Sequence, residues 1–513
     1  MTLTIEYRSD LYTPQTISGM ASCFESVLSA LMHSDSDMAV SHLPLMSAVA
    51  QERIISLGQG APSRADNDAT IPMLFKKAAS IHGDNTSIVY KDRRLTYREL
   101  DALTDALAVM LRDKYNVSSG TTVGVLIERS ELMAIYPLAI MKAGGAYMPL
   151  DPHFPTDRLM FMIEDASLSL ILADDGLAEQ TIPQFEGKVI SASVLDTLDL
   201  TAPESISAAH PGDAMVVLYT SGSTGKPKGV TLEQHNLANY CEAYTSLISL
   251  TDKDRVGAYA AFGFDAHMMD LYPTLRNGAT VHIFDAEMRL DLTAMHDYIE
   301  QEKITVMFMT TQIAWQMATL FDYTTLRVLS CGGEKLPPIG ELPCDFNNLY
   351  GPTECSVACT AYHVTGPTDG KIIGSPLQGY NLRIVDRYLR PVPQGAPGEL
   401  LILGQSVGRG YLNRPELTAE KFITIDGEKA YRTGDHVRYT PDGEIEFLGR
   451  IDGLVKLRGL RIELGEIEAV ATSHPAVKTF VAAVKEFGGM ENLVGYYILK
   501  DGMSLSPDEL RDF

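Results

Sequence analysis

Positive charge is scarce in this sequence. Lys and Arg number 42 against 66 Asp and Glu, so the formal net charge is 42 − 66 = −24. That balance excludes a nucleic-acid binder built on a basic face. It does not exclude a nucleotide site, which needs only a few local donors. Cysteine is also sparse: six residues in 513 make no disulfide framework. Cys355 and Cys359 share one short segment, but no second pair completes a zinc site, and they read as reduced core or loop thiols. No uninterrupted apolar stretch approaches 18 residues, so no transmembrane helix is expected. The opening MTLTIEYRSD has no apolar region behind it that would make a signal peptide, and the expected compartment is the cytoplasm.

What is present is a globular composition, 45% hydrophobic and 21% charged, in a chain long enough for two to four domains. The first 60 residues have their own texture. LTIEYRSDLY alternates like a strand, Ile17–Met32 and Leu45–Leu57 carry apolar residues at helical spacing, and 58–68 reads as a polar linker. So small a piece cannot bury much surface alone and is expected to dock on something larger. From Pro72 onward helical patterns alternate with short apolar runs. Examples are Thr122–Ile127, Leu168–Ala173, Met215–Thr220, Thr280–Phe284 and Thr305–Met309. The alternation implies α/β layers with buried sheets. Near Gly398 the texture turns β-rich. At the other end, Ser506-Pro507-Asp508-Glu509 announces a helix through a capping box, and the chain stops at Phe513. It therefore reads as truncated.

The sharpest chemical signal is Tyr219–Gly229, YTSGSTGKPKG, directly after an apolar run. Small residues, hydroxyls and two lysines in one loop can wrap phosphate oxygens. It is not a Walker A loop, because Thr220 stands where that motif needs glycine and Pro227 follows Lys226.

This segment resembles the phosphate loop of the adenylate-forming superfamily, and further blocks follow in that superfamily's order over about Pro72–Phe513. They are LTYREL (Leu95–Leu100), MKAGGAYMPLDP (Met141–Pro152), FDAH (Phe264–His267), NLYGPTE (Asn348–Glu354) and GELLILGQSVGRGYL (Gly398–Leu412). YRTGD (Tyr431–Asp435) and GRIDGLVKLRGLRIELGEIE (Gly449–Glu468) complete the series. The set is most similar to the adenylation domains of nonribosomal peptide synthetases. The resemblance implies a large α/β domain (61–451) of two layered sheets plus a distorted β-barrel. It also implies a small, incomplete α+β subdomain (452–513) and a condensation-domain-like tail with linker (1–60).

The resemblance further implies site roles. Thr220, Ser221, Gly222, Ser223, Thr224, Gly225 and Lys228 would hold the phosphates of ATP. Tyr350 would stack on adenine, Thr353 would contact the α-phosphate and Glu354 would bind Mg²⁺, an ion that takes oxygen ligands and shares itself with nucleotides. Asp435 would accept the ribose hydroxyls, with Arg450, Gly333, Asn348 and Phe447 nearby, and Asp452 would be a hinge. Asp265 would pair with the α-ammonium of an amino acid, since a partly buried carboxylate needs a cation. A side-chain pocket of Ala266, Met269, Phe308, Ser330, Gly332, Leu349, Val357 and Ala358 has no charged group and one hydroxyl, and so favours an apolar substrate. His267 departs from the family's serine and is expected to be a neutral, packed histidine.

The implied activity is ATP-dependent formation of an aminoacyl-adenylate for transfer to phosphopantetheine on a separate carrier domain. Partners would be carrier and condensation domains, with no nucleic acid or membrane. No block after Glu468 matches the family's closing lysine motif, and Lys456 belongs to the earlier hinge block. Slowed adenylation with surviving substrate binding is therefore expected. The alternatives are a D-alanine–carrier or acyl-CoA-type ligase, and a module that binds nucleotide without turnover.

Overall fold

The computed structural model describes residues 4–33, 39–66, 68–201, 208–221, 226–340, 342–451, 454–457, 460–487 and 490–513. Two sheets dominate it. The smaller has seven strands ordered, by their ranges, Gly410–Tyr411, Lys228–Glu233, Ala214–Thr220, Ala146–Leu150, Thr122–Leu126, Leu170–Ala173 and Lys188–Ser191. The larger has fourteen. Its parallel centre runs Asp345–Tyr350, Val328–Gly332, Val306–Thr310, Arg255–Ala258, Thr280–Ile283 and Thr86–Tyr90.

All five apolar runs became strands of these sheets. Other central strands, Ala146–Leu150 and Val328–Gly332, are buried along their whole length, as expected of strands covered on both faces. The β-rich stretch after Gly398 forms the antiparallel end of the larger sheet, where Asn381–Val385, Gly398–Leu403, Glu428–Tyr439 and Ile445–Arg450 pair in that order. It occupies the position expected of a distorted barrel and continues the same sheet.

The N-terminal piece differs from expectation in one respect. Residues 4–8 form no strand, since no neighbour offers them a ladder of hydrogen bonds. The helix Pro14–His33 has no buried residue, whereas Ala48–Leu57 sends Ile54 into the main core. The segment read as a linker is stitched down. Gln59 bridges Asn381, the Gly60 amide donates to the Tyr380 carbonyl at 2.8 Å, and the Leu382 amide donates to the Gly58 carbonyl at 2.6 Å. A Cβ on Gly58 would lie 2.0 Å from the Leu382 oxygen, so glycine is required for this approach.

Beyond Arg450 come two strand pairs, Leu454–Leu457 with Leu460–Glu463 and Val477–Phe487 with Met490–Leu499. Helix Leu464–Ser473 packs on the second pair. The closing helix Pro507–Asp512 has the expected capping box between Ser506 and Glu509. No helix among the described residues is long and apolar enough to cross a membrane.

One buried ion cluster joins three helices of the core. Lys142 is 2% exposed, and its ammonium donates to Asp101, Asp105 and the Thr104 hydroxyl at 2.5–2.8 Å. Lys76, 38% exposed, shares the same two carboxylates. Removing one partner of a buried ion cluster leaves uncompensated charge. Lys142→Met is therefore expected to cost about 3 kcal/mol in urea unfolding, and Lys76→Met less than about 1 kcal/mol. Equal losses would contradict this division.

Candidate active site

A cleft of about 1030 Å³ opens where the ends of the two sheets meet the C-terminal strand pairs. Leu218 to Ser221 line it from the smaller sheet, and Asp265, Gly333, Thr353, Asp435 and Arg450 from the larger. Phe480, Leu510 and neighbours supply an apolar wall from the C-terminal unit.

The phosphate-loop segment begins and ends in two paired strands. Strands Ala214–Thr220 and Lys228–Glu233 pair antiparallel with Thr220 opposite Lys228, which sets both expected phosphate ligands at the mouth of one turn. Gly222, Ser223, Thr224 and Gly225 lie outside the described residues, as does Asp452. The Thr220 hydroxyl is buried and has no hydrogen-bond partner among the described residues, as a group awaiting a ligand would be. The Lys228 ammonium is buried and sits 4.7 Å from the centre of the Tyr411 ring. Tyr219 anchors the start of the turn by donating to Asp165 at 2.8 Å, and Arg414 holds that carboxylate at 2.7 Å.

The second group of residues comes from the larger sheet. Register places Asp435 opposite Arg450, and the guanidinium donates to the carboxylate at 2.8 Å. The Tyr350 hydroxyl donates to the other oxygen of Asp435. Burial pushes the Tyr350 phenol well above its ordinary value, so it stays a donor. The Phe447 ring stands 6.4 Å from that of Tyr350. Glu354 is fully buried, and its carboxylate accepts from Tyr411 at 2.7 Å. Asn348 is turned elsewhere: it is buried and donates to the Ile372 carbonyl at 3.2 Å.

Asp265 stands at the N-cap position, directly before helix Ala266–Arg276, and is half-buried. Its carboxylate accepts from Thr353 at 2.6 Å, so the two residues read from separate sequence blocks meet on the cleft floor. Behind them, strand pairing sets Phe308 beside Ser330 and Gly332 beside Leu349. Alternation puts all four on one face. Met269, Val357 and Ala358 are buried in the same core cluster and Ala266 packs against it. None of these eight pocket positions lines the open cleft itself.

His267 is fully buried, as a packed histidine should be. Its Nδ1 faces the Phe264 carbonyl, which can only accept, so Nδ1 carries the proton. Nε2 then accepts from the Tyr147 hydroxyl at 2.8 Å. Desolvation lowers its pKa to about 4.

The family model of AMP-binding enzymes matches residues 75–412, well over half of the sequence. The chain belongs to that family. This AMP-binding enzyme is 35% identical to bacitracin synthase 1 of Bacillus licheniformis over 516 residues, covering all of this chain and 10% of that protein. It is 34% identical to gramicidin S synthase 2 of Brevibacillus brevis over 525 residues, covering all of this chain and 12% of that protein. The chain thus spans about a tenth of the length of these curated relatives. Among solved structures it is similar to NpsA-ThdA, an artificially fused adenylation-PCP di-domain from Klebsiella oxytoca. There the TM-score is 0.77 at 25% identity, over 87% of this chain and 83% of that one.

Three further residues contribute to the candidate site without standing out in the sequence. Tyr411, inside a quoted block, touches both Glu354 and Lys228. Asp165 braces Tyr219, and Arg158 lines the cleft with its guanidinium over the Phe154 ring. Only Tyr411 carried a signal, its place in the GRGYL block.

His267 also sets a pH dependence. Its folded pKa of about 4 lies below its unfolded value of 6.5, so the stability it contributes is complete above about pH 6.5 and is lost as pH falls through about 4. The loss is on the order of 3 kcal/mol. His282, buried on strand Thr280–Ile283 and lowered to about 3, adds a second such group. Urea midpoints measured from pH 7 to pH 4 should fall steeply, and His267→Asn should reduce the slope by about one proton. An unchanged slope would mean His267 titrates normally.

Proposed function

We propose that this chain activates an amino acid with an apolar side chain. The carboxylate attacks the α-phosphorus of ATP, a C–O–P bond forms, and the α–β phosphoanhydride breaks to release pyrophosphate. The thiol of a carrier-borne phosphopantetheine then attacks the acyl carbon, a C–S bond forms, the acyl C–O bond to phosphate breaks, and AMP leaves as the thiol gives up its proton. The observation that carries this reading is the 2.6 Å contact between Thr353 and Asp265. It joins a hydroxyl suited to the α-phosphate to an acid suited to an α-ammonium, within one substrate length.

The other roles follow from chemistry. Asp435, an acceptor held by Tyr350 and Arg450, suits ribose hydroxyls. Thr220 and Lys228 suit the phosphates, where fixed donors stabilise developing charge without reorganising. Glu354 is one carboxylate, and the described residues contain no cluster of three or more metal-ligating side chains. That donor set fits a Mg²⁺ whose remaining ligands are nucleotide oxygens and water. The ion would offset phosphate charge. The buried apolar set around Phe308 and Leu349 supports an aliphatic or aromatic substrate, since a buried charge there would lack a partner. Kinship with bacitracin and gramicidin S synthases, and with an adenylation-PCP di-domain, supports carrier and condensation domains as partners.

Amino-acid-dependent ATP–pyrophosphate exchange across the twenty common amino acids tests the proposal. Exchange should be confined to a few apolar ones. Asp265→Asn should lower kcat/KM for the amino acid by about tenfold or more, and Asp435→Ala should raise KM for ATP by a similar factor. Exchange with Asp or Lys but no aliphatic would sink the substrate assignment. Exchange with acids that lack an amine would point to an acyl ligase.

A further inference from the structure

The acid on the cleft floor is itself held by something. Asp265 ends a turn that leaves strand Arg255–Ala258 and enters helix Ala266–Arg276. It does not cap its own helix, and its carboxylate is directed to Thr353 instead. Its position therefore depends on the path of the backbone from 258 to 265.

That path is gripped from two sides. Arg129 lies just past strand Thr122–Leu126, on the smaller sheet, and reaches across to the larger one. Its Nη2 donates to the Ala258 carbonyl at 2.7 Å, its Nη1 to the Ala260 carbonyl, and its Nε to the Phe284 carbonyl at 2.8 Å. From the opposite side, Asp270 of helix Ala266–Arg276 accepts from the Ala260 amide at 3.0 Å. Both polar groups of Ala260 are thus fixed by ionisable side chains. Asp270 is 2% exposed, and its second oxygen has no hydrogen-bond partner among the described residues.

Such burial is costly on both sides. Desolvation lowers Arg129 to about 9 and raises Asp270 to about 7. Two apolar residues of similar size would pack the sheets together more cheaply. What an apolar pair could not do is hold three carbonyls and one amide in a defined geometry. A guanidinium does this because its donors form a rigid fork, which an ammonium lacks.

We infer that Arg129 and Asp270 are positioning residues for ammonium recognition: together they fix the turn that presents Asp265 to the substrate amine. The inference rests on the amino-acid reading of the site. It assigns a role in specificity to two residues outside the cleft lining, one of them contributed by the other sheet.

The test compares two inhibitors: an aminoacyl-sulfamoyladenosine bearing the side chain chosen in the exchange assay, and its des-amino counterpart. Calorimetry on the full chain gives Kd for each, and the ratio isolates recognition of the ammonium. The wild type should prefer the amine-bearing compound by about tenfold or more. Arg129→Lys and Asp270→Ala should cut that preference to about threefold or less, while Kd for the des-amino compound stays within about twofold. Asp270→Asn keeps an acceptor for the Ala260 amide and should retain the preference. Equal loss of affinity for both compounds, or an undiminished preference in folded variants, would overturn the inference alone. If both disruptive variants fail to fold, the pair is a stability device and the inference falls. A wild type with no preference for the amine would instead overturn the amino-acid reading itself.

Discussion

Desolvated carboxylates govern this site. Asp435, Glu354 and Asp265 stand at or just behind the cleft, and an acid there must find donors within the protein or shed its charge. Each finds a hydroxyl from a neighbouring segment. Tyr350 serves Asp435, Tyr411 serves Glu354 and Thr353 serves Asp265. A hydroxyl satisfies a carboxylate lone pair without carrying a charge of its own. Asp435 is matched in addition by a full charge, from Arg450 on the paired strand. The hydroxyls in turn require the close pairing of strands that brings Asp345–Tyr350, Glu428–Tyr439 and Ile445–Arg450 into one sheet.

Much of this was legible in the sequence, and the exceptions follow a physical rule. Parallel strands buried on both faces announce themselves as short apolar runs, and the five runs named above were strands, whereas the longer apolar run Leu132–Met141 is a buried helix. The helix at Pro507 was announced by its own cap. The alternation near Leu3–Tyr12 promised a strand that residues 4–8 do not form, because strand formation depends on a partner that local sequence cannot guarantee. The same dependence separates the site residues. Thr353, Asp265 and Asp435 sit in recognisable blocks and reach the cleft. Asn348 sits in such a block too, but its amide holds Ile372, a neighbour fixed only by tertiary pairing. Arg129 and Asp165 act through contacts with segments more than fifty residues away, Arg158 lines the cleft from a helix of the smaller-sheet layer, and nothing in their local pattern shows it.

His267 illustrates how an imidazole can be accommodated beside the site. An imidazole there needs room and two polar partners. Phe264 and Tyr147 provide the partners, and the ring of Phe262 lies against it at 4.9 Å. The result is a neutral, packed residue within the turn that bears Asp265. The cost appears only at low pH, where both His267 and His282 would have to charge inside the core.

The stitched glycines at the other end of the molecule have a mechanical meaning. Gly58–Gly60 fasten the N-terminal helices to Asn381–Val385, the edge of the larger sheet. That edge pairs with Gly398–Leu403, which pairs with Glu428–Tyr439, the strand that bears Asp435. A load on the N-terminal helices would pass along a rung of three strands, in shear against their backbone hydrogen bonds, before it met the ribose-side acid. Helix Ala48–Leu57, which runs directly into those glycines, is thus tied by backbone hydrogen bonds to the sheet that carries the cleft.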